Sequence, residues 1–200
     1  LQRLSLVGLP NRVGLQRFGM LGNNHLIGQA LLTGDFRRAC DLLLGPCPAS
    51  PHMNPAGRAA YAAGDFAAAR NTYPRNARAE VRVLSRLLDG VDHRGAFLAV
   101  DSQVLGFFLS AFQSAVFNTV LDERLAGPGI GTLVEGDLAM KHDNRACFAV
   151  ESTTLADPET QHRLARLEIS PTGPLWGVGL TRAASMADAA EVAALASFGI

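Results

Sequence analysis

Apolar residues recur every three or four positions through much of the first two thirds of the chain, which is the period of an α-helix. This spacing predicts helices over residues 26–32, 36–44, 77–88 and 102–126. The last of these is the longest, and its aromatic content predicts burial on most sides. Its positions at helical spacing include Leu105, Phe108, Leu109, Phe112, Val116 and Val120.

The starts and ends of the early helices are marked by local signals. Asp35 is the expected N-cap of the helix 36–44, because its carboxylate can accept free amide protons of the first turn. The sequence Gly-Asp-Phe recurs thirty residues later, with Asp65 as a second cap. Residues 45–57 contain four prolines and two glycines and predict a loop or a hinge. The echo also leaves open a helical-repeat protein, since such repeats run to about 30–47 residues.

After Gly127-Pro128-Gly129 the pattern changes to short runs of β-type residues with turn residues between them. These runs predict strands over 132–134, 138–140, 146–150 and 167–169. Asp157 and Pro158 suit the cap and the first position of a further helix. The sequence therefore predicts an α+β fold, with a helical first part followed by a small, mostly antiparallel sheet.

Composition narrows the class of protein. The chain has 200 residues, of which 48% are hydrophobic and 18% charged, enough for one domain or one and a half with a buried core. We expect no membrane span, because polar residues such as Ser114 and Asn118 interrupt the most apolar run, and the default compartment is the cytoplasm. The three cysteines and five histidines are not at metal-ligand spacing, so we expect no metal site.

The charge pattern gives a mixed signal for nucleic acid. The formal net charge is zero, whereas RNA-binding surfaces usually show a basic excess. Seventeen of the eighteen basic residues are arginine, a residue suited to phosphate contacts, although a GC-rich genome also favours arginine. Four of them recur every three or four positions along the helix 77–88 and just before it: Arg75, Arg78, Arg82 and Arg86. This stripe could follow an RNA backbone, or it could be a solvated face of the helix. The apolar face of that helix is expected at Ala77, Val81, Leu84 and Leu88.

The segment from Gly8 to Gly19 reads Gly-Leu-Pro-Asn-Arg-Val-Gly-Leu-Gln-Arg-Phe-Gly. Glycine loses the most backbone freedom on folding, so an ordered Gly-rich turn that carries Asn11, Gln16 and Arg17 suits the presentation of polar groups to a ligand. An ordinary surface loop with common turn residues is the alternative.

This segment resembles the signature of the TruD-type tRNA pseudouridine synthases, approximately Gly-x-x-Asn-Tyr-Phe-Gly-x-Gln-Arg-Phe-Gly. Arg12 and Val13 depart from it, since the family usually has two aromatic residues there. Three further segments resemble the same family in the same order. They are Phe108–Asn118 with Arg124, Val134–Asp137, and Pro171–Gly177. Close to the first motif, Gly22-Asn23-Asn24 also resembles the family.

The resemblance implies a tRNA pseudouridine synthase that isomerises uridine 13, with tRNA as partner, no membrane, and neither metal nor dissociable cofactor. The family's nucleophile is an aspartate in a Gly-x-Lys-Asp segment upstream of this motif, and no such segment occurs here, so we expect that aspartate before residue 1. By resemblance Asn11 contacts the target nucleotide and holds that aspartate. Gln16 and Arg17 would contact RNA or brace the loop, and Phe18 would mainly anchor it.

The resemblance also implies a domain division. Residues 1–34 would be a remnant of the catalytic domain and residues 35–200 an inserted TRUD domain, incomplete at its C-terminal end. We interpret the chain, whose last residues suggest a helix stopped in mid-course, as a fragment. The alternatives are a catalytically silent RNA-binding fragment and a helical-repeat interaction module, which would have no sheet after residue 130. For Asn118 and Arg124 we expect bonds to neighbouring backbone, or pairing with Asp122 or Glu123.

Overall fold

The structure is a computed structural model that describes residues 8–200. For the apolar run 4–9 the sequence predicts a strand or the end of a helix, and residues 4–7 of that run lie outside the described residues. The chain divides into two compact units. The helical unit is formed by residues 14–114. The described part of the sheet unit is formed by residues 8–13 and 115–200.

The helical unit begins with a 3₁₀ turn at Leu15–Phe18 and continues as helices. Its helices are α1 (Asn24–Leu32), α2 (Phe36–Leu44), α3 (Pro55–Ala62), α4 (Phe66–Thr72), α5 (Arg78–Leu88), α6 (His93–Leu98) and the first part of α7 (Ser102–Ala126). Their apolar faces form one core, in which Ile27, Leu84 and Phe97 are almost fully buried.

Three successive helix pairs, α1–α2, α3–α4 and α5–α6, are joined in the same way. The first helix of each pair ends at a glycine with positive φ: Gly34 (75°), Gly64 (79°) and Gly90 (77°). The second begins with an aspartate whose carboxylate accepts a backbone N–H three residues on: Asp35 (3.0 Å), Asp65 (2.9 Å) and Asp92 (2.8 Å). The two caps predicted from the sequence are confirmed. The third was missed because Val91 separates its glycine from its aspartate.

Two predictions within the helical unit are only partly right. The loop predicted over 45–57 ends early, because Asn54 accepts from the N–H of Gly57 as the N-cap and Pro55 begins α3, where proline suits the first helical position. Of the apolar face predicted for α5, Leu84 is buried but Leu88 is exposed. The other buried residues of the helix are Val83 and Leu87, and the helix contacts both α4 and α6.

The sheet unit contains the second part of α7, a small sheet and three further helices. The elements are β1 (Leu138–Lys141), β2 (Cys147–Ala149), α8 (Ser152–Ala156), α9 (Pro158–Ala165), β3 (Ile169–Pro171) and α10 (Ser185–Ala196). The strand order is β2-β1-β3, and both pairings are antiparallel, with Met140 opposite Cys147 on one side and Ser170 on the other. Leu133, Val150 and Ile169 lie in its core.

The strand bounds differ from the predicted ones where backbone groups are used otherwise. Residues 132–134 form no strand, because the N–H of Val134 donates to Asp137 and the carbonyl of Thr132 accepts from Arg124. The strand predicted at 167–169 begins at Ile169, because Leu167, in the turn after α9, has a φ of 56°, which a strand cannot hold. The last helix ends at Ala196, so the prediction that it is interrupted in mid-course is wrong.

Over residues 8–200 the structure has ten α-helices and three strands, so the α+β prediction is confirmed. The helical-repeat alternative for the whole chain is wrong, because a sheet follows residue 130. Among the described residues α7 is long and apolar enough to cross a membrane by length and composition alone, a test that the core helix of a protein also passes. Ser114 and Asn118 on α7 are buried and hydrogen-bonded within the protein.

Candidate functional site

Asn11 lies at the apex of a three-residue turn in the sheet unit. The N–H of Arg12 donates to the carbonyl of Pro10 at 2.8 Å, which closes the turn around Asn11. The side chain of Asn11 is exposed and makes no hydrogen bond to another residue of the described chain. With no partner among residues 8–200, this amide can offer donors and an acceptor to a ligand.

Two side chains of α7, one helical turn apart, hold this turn. The amide of Asn118 accepts from the N–H of Val13 and donates to the carbonyl of the same residue, both at 2.9 Å. Asp122 forms an ion pair with Arg12, in which both side chains are about half exposed. Asn118 is 6% exposed, so its two bonds are the buried part of this attachment.

The same part of α7 also holds the two later motifs. The guanidinium of Arg124 donates to both carboxylate oxygens of Asp137, at 2.8 and 2.7 Å, and to the carbonyls of Gly129 and Thr132. The ring of Phe117 lies so close to Gly173 that a Cβ there would be 2.8 Å from it. Three of the four motif segments therefore meet α7 within the sheet unit.

The remaining part of the first motif, Gln16 to Gly19, belongs to the helical unit. The 3₁₀ turn ends at Gly19, whose φ of 79° and ψ of 175° suit glycine alone. A Cβ at Gly19 would lie 2.6 Å from the Asn24 amide, which itself donates to the carbonyl of Arg17. The second Asn of Gly22-Asn23-Asn24 thus fixes the end of the motif.

Of the predicted contact residues in this turn, two have partners and one has none. Arg17 donates to the hydroxyl of Ser110 at 3.2 Å and lies over the ring of Phe107. Phe18 packs edge-on against His25, and burial lowers the pKa of that imidazole. Gln16 is exposed and has no side-chain partner in the described residues. The contacts of Arg17 and Phe18 are those of residues that brace a loop.

The aspartates are already engaged. All eleven lie within the described residues, and each accepts a hydrogen bond from a backbone or side-chain group of this chain. Five of them cap helices: Asp35, Asp65, Asp92, Asp101 and Asp157. The other six accept from turn amides, a tyrosine or arginines: Asp41, Asp89, Asp122, Asp137, Asp143 and Asp188.

One buried carboxyl has a strongly shifted affinity for protons. Glu191 on α10 is 9% exposed, and burial, with further contributions from Asp188 and Asp137, raises its pKa to about 7. A carboxyl in such a place titrates near neutral pH.

The helical unit is net basic and the rest of the chain is net acidic, although the formal net charge of the whole chain is zero. Residues 14–114 hold ten arginines against seven acidic residues, and the rest of the chain holds eight basic residues against eleven acidic ones. Arg75, Arg78 and Arg82 are exposed and form no ion pair with a described residue. The basic excess that a nucleic-acid surface needs is therefore present in the helical unit.

Other features of the described residues offer less. A cavity of about 600 Å³ in the helical unit is lined by Met20, Asn54, Arg58 and Tyr73 among others. Its polar groups are largely used internally, since Asn54 donates to Thr72 and Arg58 to backbone carbonyls. No group of three or more His, Cys, Asp or Glu residues is placed to hold a metal ion within residues 8–200.

The sequence predicts Asn11 as a contact residue but does not predict the groups that hold its turn. For Asn118 we expected bonds to neighbouring backbone; its backbone partner lies 105 residues away. For Arg124 we expected bonds to neighbouring backbone or pairing with Asp122 or Glu123. It does donate to the nearby carbonyls of Gly129 and Thr132. The pairing is wrong, because Asp122 pairs with Arg12 and Arg124 reaches Asp137. Asp137, interpreted as a turn residue, does accept the turn N–H of Val134.

Comparison with known proteins gives consistent matches. A model of the family "tRNA pseudouridine synthase D (TruD)" matches residues 1–200. A tRNA pseudouridine synthase D of Geobacter sulfurreducens is 44% identical over 176 residues, covering 87% of this chain and 42% of the relative. That of Geobacter metallireducens is 40% identical over 195 residues, covering 96% and 47%. The chain thus spans less than half the length of these curated relatives.

A solved structure is similar in fold over nearly the whole chain. The crystal structure of a protein described as tRNA pseudouridine synthase D from Methanosarcina mazei superposes with a TM-score of 0.84 and 25% identity. The match covers 98% of this chain and 47% of that one.

Proposed function

The chain belongs to the TruD family of tRNA pseudouridine synthases, and we propose that it acts as part of a longer enzyme that isomerises uridine 13 of tRNA to pseudouridine. In this proposal the chain presents Asn11 to the target nucleotide and provides basic surface for the tRNA. The carboxylate nucleophile comes from a part of the enzyme that precedes residue 1. Neither a metal nor a dissociable cofactor takes part, and the enzyme works in the cytoplasm.

The reaction itself explains these roles. Pseudouridine formation breaks the bond from ribose to N1 of uracil and joins the ribose to C5. The uridine has to leave its stack to be reached, which costs a few kcal/mol. A carboxylate then attacks or stabilises the separated sugar and base. An amide beside it can hold both that acid and the extruded base, because it offers donors and an acceptor.

The observation that carries the proposal is the contrast between Asn11 and the aspartates. The Asn11 amide is exposed at the apex of its turn without a partner in the described chain, whereas each of the eleven aspartates is already bonded. A nucleophile taken from this chain would first have to give up a helix cap, a turn bond or an ion pair. This favours an acid supplied from elsewhere.

The other predicted contact residues divide by their surroundings. Gln16, which is exposed and has no side-chain partner among residues 8–200, is proposed to contact RNA with its amide. Arg17 and Phe18 are proposed to shape the same substrate-binding loop, because Ser110 and Phe107 engage Arg17, and His25 engages Phe18. Val13 replaces an aromatic residue of the family and cannot stack on a base, so stacking would come from another part of the enzyme.

The domain division of the family applies to this chain as part of the same proposal. Residues 1–34 would belong to the catalytic domain, and residues 35–200 to the domain inserted into it. The basic excess of residues 14–114 supports tRNA as the partner of this region.

The test compares the chain with an enzyme extended at both ends by its neighbouring coding sequence. We expect the extended enzyme to form pseudouridine at position 13 of a tRNA transcript, and to form none when that position is cytidine. We expect the 200-residue chain to bind the same transcript and to leave it unchanged. Product from the chain alone would place the nucleophile among its own acids, and an extended enzyme that modifies another position would contradict the assignment of uridine 13.

A further inference from the structure

We propose that Asn118 is a positioning residue for the reaction, which acts by fixing the turn that presents Asn11. The inference rests on the proposed function, because it requires that Asn11 contact the nucleotide. It adds a named residue on α7 that does not itself touch the substrate.

The geometry of the contact is specific for asparagine. One planar amide accepts from the N–H and donates to the carbonyl of a single residue, Val13, with both distances 2.9 Å. An ionised carboxylate in its place cannot match both groups, because it only accepts and has no donor for the Val13 carbonyl. The pair therefore holds the Val13 peptide groups in a defined position and orientation.

Val13 is two residues from Asn11, so this contact limits where the turn can lie. The second attachment, between Arg12 and Asp122, is half exposed, and exposed ion pairs contribute only about 0–1 kcal/mol. The Asn118 contact is buried and so is less weakened by competition with water. We infer that it provides most of the fixed geometry.

The contact is also directed at the loop and not at the helix. Both hydrogen bonds of the Asn118 amide go to Val13, whereas the neighbouring Thr119 bonds back to the carbonyl of Ala115 in its own helix. Asparagine is one of the weaker helix formers, so its presence inside a 25-residue helix suits a role outside that helix.

The first experiment uses single-turnover kinetics in the extended enzyme, with enzyme in excess over tRNA. The rate constant reports the reaction of correctly folded enzyme, and the amplitude reports how much of it is active. We expect Asn118→Ala to lower the rate constant by about 10²-fold, since a misplacement of about 1 Å can cost that much. We expect tRNA affinity to change by less than about 3-fold, because the phosphate contacts that dominate affinity are elsewhere. Thr119→Ala is the matched control, with a rate constant close to that of the unchanged enzyme.

The second experiment asks whether Asn118 acts through Asn11. If it does, the double variant Asn11→Ala, Asn118→Ala should be no slower than Asn11→Ala alone, because the positioned group is already absent. Losses that multiply, or an Asn118→Ala enzyme with an unchanged rate constant, would overturn the inference and leave the proposed function intact. A fully active Asn11→Ala enzyme would overturn both.

A third measurement uses the conservative variant Asn118→Asp. A protonated carboxyl offers one donor and one acceptor, as the amide does, but a carboxylate has no donor for the Val13 carbonyl. We expect the rate of this variant relative to the unchanged enzyme to rise as the pH falls from 8 to 5.5. A ratio that stays constant over this range would contradict the role of the donated hydrogen bond.

Discussion

Arg124 and Asp137 form a two-bonded ion pair that joins α7 to the turn before β1. Both guanidinium nitrogens Nη1 and Nη2 donate to the carboxylate, and only 13% of the arginine side chain and 4% of the aspartate side chain are exposed. Two further backbone carbonyls and one backbone N–H complete the arrangement. The intact pair need not add much net stability, but removing one partner is costly because the other charge is left buried and unpaired.

Removal of one partner should therefore be costly. We expect Asp137→Ala to lower the free energy of unfolding by about 3–5 kcal/mol, because it leaves a buried guanidinium without its charge partner. Urea unfolding followed by circular dichroism measures the change. Glu123→Ala is the control, because Glu123 is exposed beside Arg124 on the same helix, and we expect a change below about 0.5 kcal/mol. Similar losses in the two variants would contradict the importance of the buried pair.

The raised pKa of Glu191 should make the stability of the chain depend on pH. Its pKa is raised in the folded state from the ordinary 4.5 to about 7, so the folded chain binds this proton more tightly than the unfolded chain does. The contribution of Glu191 to stability should then be fully present below about pH 4.5 and be lost as the pH rises through about 7.

The variant Glu191→Gln, which carries no titrating group, isolates this effect. We expect its stability relative to the unchanged chain to increase between pH 5 and pH 8 by on the order of 1 kcal/mol. Thermal unfolding over this pH range measures the difference. Glu135→Gln, at an exposed position of the same unit, should show no such trend. If Glu191→Gln gained most at low pH, the direction of the shift would be wrong.

Two helical glycines of the helical unit should respond to alanine in opposite ways. A Cβ on Gly28 of α1 would overlap the carbonyl oxygen of Phe108 and lie 2.8 Å from its carbonyl carbon, so α1 and α7 can approach only without a side chain there. A Cβ on Gly106 would meet nothing within 4 Å. We expect Gly28→Ala to destabilise by about 1–3 kcal/mol, and Gly106→Ala to stabilise by about 0.5–1 kcal/mol. Urea unfolding of both variants checks the signs, and a stabilising Gly28→Ala would show that the two helices can separate at little cost.

Local signals in the sequence were enough for much of the helical part. The bounds of α2 and α7 are as predicted, because helical periodicity and an aspartate cap are properties of neighbouring residues. The third helix pair shows the limit of this approach. Its cap at Asp92 uses the same chemistry as Asp35 and Asp65, but one inserted residue hid it from a search for Gly-Asp-Phe.

Contacts between distant segments could not be predicted. Nothing near Asn118 in the sequence shows that its amide meets Val13, 105 residues away, since that pairing exists only once the chain has folded. For Arg124 the nearest acids in the sequence were the expected partners, yet its long side chain reaches beyond the helix end to Asp137. The exposed position of Asn11 also follows from the fold, since the residue type alone suits a buried turn equally well.

The exposed arginines of α5 and the preceding loop should contribute to tRNA affinity. Replacement of Arg75, Arg78 and Arg82 by glutamine should weaken binding of the transcript and reduce the slope of log affinity against log salt by about 2 to 3, since each arginine that no longer neutralises a phosphate lowers the slope by about one. The turnover number at saturating tRNA should be unchanged.

A control with the same change in charge replaces Arg145, Arg163 and Arg166 of the acidic sheet unit. Equal effects of the two triple variants would mean that net charge, and not this face, determines affinity.

The replacement of Asn11 by alanine tests the proposed contact with the nucleotide most directly. Because the exposed amide makes no hydrogen bond to residues 8–200, Asn11→Ala removes no bond to them, and we expect a melting temperature within about 1–2 °C of the unchanged enzyme, in line with surface substitutions. In the extended enzyme the same change should lower kcat by at least about 10²-fold, comparable to the loss of one preorganised donor in other active sites. The dissociation constant for tRNA should change little, since phosphate contacts dominate it.

The matched control is Gln16→Ala, which removes another exposed amide from the same motif and should weaken binding more than it slows turnover. If Asn11→Ala left kcat unchanged and weakened only binding, Asn11 would be an ordinary RNA contact and the acid that acts on the ribose would have another partner.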